Sequence, residues 1–373
     1  MAKVCVVSPW LYQYTSETFE GGAGGAERQQ SMILSELIEE GYEVSVIVAD
    51  FDQKPREVYS GLVLIKGLPK DMSGLLGGMR FLRSLSGTLF SVNAEIHHVR
   101  GAPRLATATF LCSKVLRRQF VFRVANDADV DPSYLLRRYS KPFVLLYRSV
   151  LSAADAVIAQ TEHQQHLLKK HFGVEAYLVP NGYDLPDKDQ IVTHGGRQHV
   201  LWVGSSDPEK KNPFIFVRLA ERLPNLQFTM ISQPISNKRD FHQHLRAKAA
   251  SVRNLDFKGP VDPEEIHNYY RQASLLVNTS SYEGFPNTFL EAWRYETPVV
   301  SMYFDLDGLL ENGIGGVKAG GMERLVNEVE SLASNASHRA NIGESARVYL
   351  IRNYSLSKVV SMYKNVFNNV LKK

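Results

Sequence analysis

An α/β fold of two doubly wound parallel sheets is what this sequence predicts, and three observations carry that expectation. Short β-rich runs alternate with helical patterns along the whole chain. Several of the runs are almost continuously apolar, the pattern of strands buried on both faces of a parallel sheet. The alternation breaks once, at a polar stretch near the middle, and then begins again. At 373 residues, two domains of ordinary size fit the length.

Taken in order, the first half predicts strands over 4–8, 43–49, 62–67, 95–99, 120–125, 156–160 and 177–180. Amphipathic segments lie between them, such as 27–40, which Gly41 closes as a C-cap. The stretch 185–198 holds Pro186, Gly195 and Gly196 and reads as a hinge between domains. Beyond it, strands fit 199–204, 227–231, 255–258, 275–279 and 298–303. Helices fit 212–222, 264–272, 288–295, 322–332 and 337–352. The sequence shows no solenoid repeat and no low-complexity segment. Two Rossmann-like parallel-sheet domains facing across a cleft are expected, with ligands held by the loops after the strands.

Composition removes several classes. Hydrophobic residues are 44% and charged residues 22%, which excludes disordered and fibrous chains. Cys5 and Cys112 are too few for a disulfide framework or a zinc site, so a reducing compartment is expected. The best apolar window, 142–159, is interrupted by Arg148 and Asp155, and the first strand is too short for a signal peptide. A cytoplasmic protein follows. The net charge is only +4, yet residues 70–148 hold 13 basic against 5 acidic residues, a local +8. That half is expected to meet something anionic.

Three loops could carry chemistry. The first, Glu20-Gly-Gly-Ala-Gly24-Gly25-Ala-Glu27, leads into a helix. Its glycines admit close backbone approach, and the helix start offers N–H groups to an anion. It is equally readable as a surface loop without a ligand. A dinucleotide fingerprint is a poor match, because about a dozen residues separate the loop from its strand. The second loop runs from Asn278 through Glu283, Gly284, Phe285, Pro286, Asn287 and Thr288 to Glu291. It sets one carboxylate on the loop and one on the helix, and amides near Asn287 and Thr288 suit a phosphate. Against this, a helical Glu commonly just solvates its face. The third, Gly204-Ser205-Ser206-Asp207-Pro208-Glu209-Lys210-Lys211-Asn212, offers a lysine to phosphate charge or a solvated pair in an exposed turn.

Together these segments resemble the retaining, nucleotide-sugar-dependent glycosyltransferases of family four, which have the GT-B fold, and the resemblance runs nearly end to end. Gly24-Gly25-Ala26-Glu27 is similar to that family's glycine loop. Thr161-Glu162-His163 and Val179-Pro180-Asn181-Gly182 resemble the end of its first domain. The Glu283-to-Glu291 segment, followed by Pro298-Val-Val-Ser301, is its most specific signature. The Tyr354-Ser355 region resembles its last helix, which crosses back onto the first domain. The domains implied are 1–186 on the acceptor side, joined by 354–373, and 187–353 for the donor.

Residue by residue, the resemblance implies that Glu283 contacts the transferred sugar and Glu291 the ribose. Lys211, or Lys210 with the loop shifted by one, neutralises the diphosphate. Gly24, Gly25, Gly284, Phe285, Asn287, Thr288 and Ser205 complete the donor side. No metal or other cofactor is then required, since lysine and helix-end amides stabilise the leaving group. Three departures stand out. Ser205 replaces a common arginine, Glu296 a common glycine before Thr297-Pro298, and Pro286 another glycine.

Weaker signals remain. Asp-x-Asp triplets start at Asp50, Asp127, Asp129 and Asp305, a number that chance allows among 39 acidic residues. Asn126 and Asp127 follow a strand of the first domain and are assigned to the acceptor side, with Asp127 a catalytic candidate. His98 and Arg100 end another strand and join them, although a strand-end histidine is more often structural. Basic and apolar residues interleave over 80–143, which suits an anionic membrane surface or ordinary solvated helices. No nucleic-acid module is present. The expected partners are a nucleotide-sugar donor, a saccharide or lipid-linked acceptor and that membrane surface. The expected role is glycoconjugate or polysaccharide synthesis at the inner face of a membrane. Alternatives are an epimerase or phosphorylase of the same fold, or a non-catalytic sugar-nucleotide-binding protein.

Overall fold

The computed structural model describes residues 2–15, 25–70, 74–235, 238–262 and 265–372, with the backbone alone at Leu75. Two compact units divide the chain, 1–182 with 356–373 and 183–355.

Unit 1 runs β1 (Lys3–Val7), α1 (Leu11–Thr15), α2 (Gly25–Glu39), β2 (Glu43–Ala49), β3 (Arg56–Tyr59), β4 (Leu62–Leu68), α3 (Gly74–Val92), β5 (Ile96–Arg100) and α4 (Pro103–Val115). It continues with β6 (Gln119–Arg123), α5 (Pro132–Arg138), α6 (Lys141–Ala153), β7 (Ala156–Ala159), α7 (Glu162–Phe172) and β8 (Tyr177–Leu178). Its sheet has the order β3-β4-β2-β1-β5-β6-β7-β8. Along β1, Cys5 and Val7 enter one core layer while Val4 and Val6 enter the other. A strand buried on both faces has no polar side, which is why its sequence is a continuous apolar run.

Unit 2 runs β9 (His199–Ser205), α8 (Pro213–Arg222), β10 (Gln227–Gln233), α9 (Arg239–Ala250), β11 (Leu255–Lys258), α10 (Ile266–Gln272) and β12 (Ala273–Asn278). There follow α11 (Asn287–Trp293), β13 (Val299–Ser301), β14 (Gly316–Lys318), α12 (Met322–Ser334) and α13 (Ala336–Tyr354). All its strands are parallel, in the order β11-β10-β9-β12-β13-β14. The chain then returns to unit 1 as α14 (Leu356–Leu371), whose Val359, Tyr363, Val366 and Phe367 join the core with α1 and α2.

Caps fix several helix limits. Thr161 accepts from the Gln164 N–H at 3.1 Å to start α7, and Gly173 ends it at φ +68°. After α2, Gly41 takes φ +87° and the Tyr42 N–H returns to the Leu37 carbonyl at 3.0 Å.

The structure corrects the expected layout in three places. The first sheet is not wholly parallel: β3 pairs antiparallel with β4 through Ser60 and Gly61, both at positive φ. Such a two-residue turn matches strand twist. Second, β14 and α9 are additional elements; β14 is three residues beside a glycine-rich loop, too short for a periodicity. Third, the stretch 185–198 falls within unit 2, which begins at Tyr183, and is hydrogen-bonded to it. Arg197 donates to Thr297 Oγ1 at 2.8 Å and to the Tyr295 carbonyl at 2.7 Å. Arg339 donates to the His194 carbonyl at 2.6 Å and Arg347 to the Pro186 carbonyl at 2.7 Å.

Candidate active site

In unit 2 the strand order reverses between β9 and β12, which lie side by side. The loops leaving their carboxyl ends are therefore neighbours, at the switch point where open α/β sheets bind ligands. These loops hold Lys211 and Glu283. Thr279 stitches them together: it accepts from Trp202 Nε1 at 2.9 Å and donates to the Lys211 carbonyl at 2.6 Å. Asn212, left-handed at φ +46°, donates to Ser281 Oγ at 2.7 Å, and the Ser281 N–H donates to the Lys210 carbonyl at 2.9 Å. The result is a direct ion pair from Lys211 Nζ to Glu283 Oε1, with Ser280 Oγ donating to the same oxygen at 2.6 Å. Burial pushes the Glu283 carboxyl up, but the Lys211 charge and the Lys211 and Ser280 hydrogen bonds outweigh it. The group is held below the ordinary carboxylate range and is ionised at neutral pH. Lys210 points elsewhere, its Nζ 5.8 Å from the Tyr282 ring centroid.

Glu291 is buried in α11 and accepts from the Tyr183 hydroxyl at 3.1 Å. The Arg294 guanidinium lies over the Tyr183 ring, 5.9 Å from its centroid. Gly284 and Phe285 are buried, and the Phe285 ring meets Tyr354 edge-on at 5.8 Å. Asn287 and Thr288 open α11 and are half-buried, as is Ser205 at the end of β9. Tyr183 was not foreseen from sequence; its signal is its place directly after Val179-Pro-Asn-Gly182.

Unit 1 gathers a second group at the ends of β5, β6 and β7. Arg100 donates to the Ala26 carbonyl at 2.7 Å and to Gln160 Oε1 at 3.3 Å. Burial and the Arg123 charge push its guanidinium down to about 10, so it stays protonated. Asp127 accepts from Gln164 Nε2 at 3.1 Å and lies 3.8 Å from His163 Nε2. Asn126 caps the 3-10 turn 127–129 by accepting from the Ala128 N–H at 2.9 Å. His98 is placed differently from the expectation. It is 3% exposed, donates Nδ1 to the Val121 carbonyl at 3.1 Å, and its ring lies against Tyr363 and Phe367 of α14. Side chains on β5 alternate between faces, and position 98 falls on the face that α14 covers. Gly25 is exposed at the start of α2, whereas Gly24 lies outside the described residues.

Several aspartates of the triplets serve the backbone. Asp129 Oδ2 accepts from the Ala125 and Asn126 N–H groups, Asp131 caps α5 through Ser133, and Asp305 takes the Leu310 and Glu311 N–H groups. Among the described residues no group of three His, Cys, Asp or Glu side chains is placed to hold a metal.

Two Rossmann-like units, one bearing a lysine–carboxylate couple at its switch point, define the class as GT-B. Comparison with known proteins agrees. The model "Glycosyltransferase Family 4" matches residues 23–186 and "Glycosyl transferases group 1" matches 197–337. The chain belongs to the family-four glycosyltransferases. The alpha-galactosylglucosyldiacylglycerol synthase of Streptococcus pneumoniae is 27% identical over 168 residues, 44% of either chain. The chain aligns with about half or less of the length of the curated relatives it matches first. Sucrose-phosphate synthase from Thermosynechococcus elongatus superposes with a TM-score of 0.80 at 15% identity, covering 100% of both chains. Anabaena HepE, solved in complex with UDP and glucose, gives 0.75 at 15% identity, covering 99% of this chain and 100% of its own.

Proposed function

We propose that the protein moves a sugar from a nucleoside-diphosphate donor to a saccharide or lipid-linked acceptor, with retention at the anomeric carbon. The observation that carries this reading is the Lys211–Glu283 couple at the switch point of unit 2. An ammonium has three donors, and Glu283 takes one of them. The others suit the oxygens of a departing diphosphate, whose charge must be stabilised as the glycosidic bond breaks. Glu283, ionised and fixed by Ser280, suits the hydroxyls or developing positive charge of the sugar. Glu291, oriented by Tyr183, suits the ribose diol. The UDP held by HepE supports a nucleotide donor. Asp127, Asn126 and Arg100 are proposed for the acceptor side, in keeping with glycoconjugate or polysaccharide synthesis.

The test is calorimetry with UDP and other nucleoside diphosphates, in EDTA, on the wild type and Glu291→Ala. Binding of at least one nucleotide, weakened by roughly 1.5–3 kcal/mol in the variant, is expected for a lost charged hydrogen bond. Absence of binding by every nucleotide, or unchanged affinity in Glu291→Ala, refutes the donor site. Product analysis by NMR then reads the anomeric configuration, and an inverted product refutes retention.

A further inference from the structure

Four helices of unit 1, α3, α4, α5 and α6, contain no Asp or Glu at all, yet they hold eight Arg or Lys. Together they are 52 residues long, and the chain's overall share of 39 acidic residues in 373 would place about five there. Helix α3 packs beside α4, and α4 and α5 pack beside α6. Their inner faces feed one core layer through residues such as Leu89, Phe110, Leu135 and Tyr147.

Their outer faces are unlike an ordinary solvated surface. Val115 is 82% exposed, Phe90 71%, Leu76 66% and Leu145 64%. On α3, Leu76, Met79, Arg80, Arg83 and Phe90 follow helical spacing and share the exposed side. Arg80, Arg83, Lys141 and Arg148 are exposed and meet no carboxylate among the described residues. Lys114 and Arg104 are more engaged: the first pairs with Asp155 at 2.9 Å and the second stacks over Tyr139.

We propose that the outer face of α3, α4 and α6 docks on an anionic phospholipid surface. Charge complementarity selects the partner. A second copy would set one strongly basic face against another, and like charges repel. A nucleic acid would engage the arginines but leave the apolar side chains in water. A phospholipid surface takes both, with phosphates at the basic residues and acyl chains under the leucines and phenylalanine. No helix among the described residues is long and apolar enough to cross a membrane, so the contact is a surface one. It concerns the outer helix layer alone and stands independently of the donor-site assignments.

Full-length protein is sedimented with vesicles of phosphatidylglycerol and phosphatidylcholine, or phosphatidylcholine alone, over a salt series and without donor or acceptor. Binding to the anionic vesicles only, falling as salt rises, is expected. Replacing Arg80, Arg83, Lys141 and Arg148 by Gln should lower partition by about 100-fold or more, as each basic residue near such a surface contributes substantially. Replacing Leu76, Phe90, Val115 and Leu145 by Ser should leave low-salt binding but remove it at physiological salt. Circular dichroism and nucleotide binding check that both variants keep their fold. Absence of wild-type binding, or unchanged binding of either variant, overturns the proposal. A dimer in solution that the Ser variant dissolves, without effect on vesicles, assigns the face to a second copy instead.

Discussion

Lys211 holds the Glu283 carboxylate ionised within a poorly solvated loop pair, so loss of either residue leaves the other without its partner. Breaking a buried pair costs about 3–5 kcal/mol, with the lower end suited to a lysine still partly exposed. We expect Lys211→Met to destabilise unit 2 and Lys211→Met with Glu283→Gln to recover most of the loss, read by urea unfolding. In turnover, Lys211→Ala should lower kcat by roughly 10²–10³, the range for one donor to a developing charge. Lys210→Ala should do much less, because its side chain lies toward Tyr282. Two buried histidines of unit 1 give a pH signature. Burial pushes His97 and His98 down to about 4, while in the unfolded chain they titrate near 6.5. Between those values the unfolded chain takes up protons that the folded one refuses. Stability therefore falls as the pH drops from about 6.5 toward 4, by up to about 1.4 kcal/mol per pH unit for each histidine. Urea midpoints at pH 7 and 5 should show it, and His98→Gln should remove one proton's worth of the slope.

Helix α13 shows how an element is constrained by its neighbour. A Cβ on Gly343 would stand 2.0 Å from the Glu296 carbonyl oxygen, so helix and turn touch through backbone. Glu296 itself takes φ +58°, a conformation that favours glycine, and its carboxylate lies 4.0 Å from Arg347 Nε. This accounts for the departure seen in the sequence: a left-handed turn persists with Glu because α13 supplies a cation. Gly343→Ala should cost about 1–3 kcal/mol through overpacking. Glu296→Ala should melt lower than Glu296→Gly, since both lose the ion pair and only alanine keeps the strain. Differential scanning calorimetry measures both, and equal melting temperatures would remove the strain argument.

For the whole molecule, α14 matters most. Its Tyr363 hydroxyl accepts from buried Arg123, which also donates to Asn181 Oδ1 at 2.6 Å and the Pro180 carbonyl at 3.2 Å. The last helix, the centre of the first sheet and the end of the 179–182 segment thus share one guanidinium. Removing residues 356–373 uncovers the apolar layer that Val359, Val366 and Phe367 help to fill. The shortened chain should aggregate or bind a hydrophobic dye, whereas Tyr363→Phe should fold with a loss of about 1–3 kcal/mol, because Arg123 is left with an unmet buried donor. A truncated protein that stays monomeric with an unchanged melt would show that unit 1 does not need α14.

The sequence by itself determined the repeated strand–helix pattern, because strands buried on both faces leave a continuous apolar run that local reading detects. It also marked the loops bearing Lys211 and Glu283, since each sits between a strand run and a helix start, and the helix after the second loop that carries Glu291. Short pieces escaped it: β3 and β14 are too brief for a period, and pairing with a neighbour makes them strands. Tertiary structure alone decided who meets whom. Residues 211 and 283 are far apart in the chain and become partners because β9 and β12 are adjacent at the reversal of strand order. His98 and Arg100 look alike as strand-end residues. One is enclosed against Tyr363 of α14 and the other, two residues further along the same face of β5, reaches the carbonyl of Ala26 in α2, because each takes the partner that the helix packed beside it supplies.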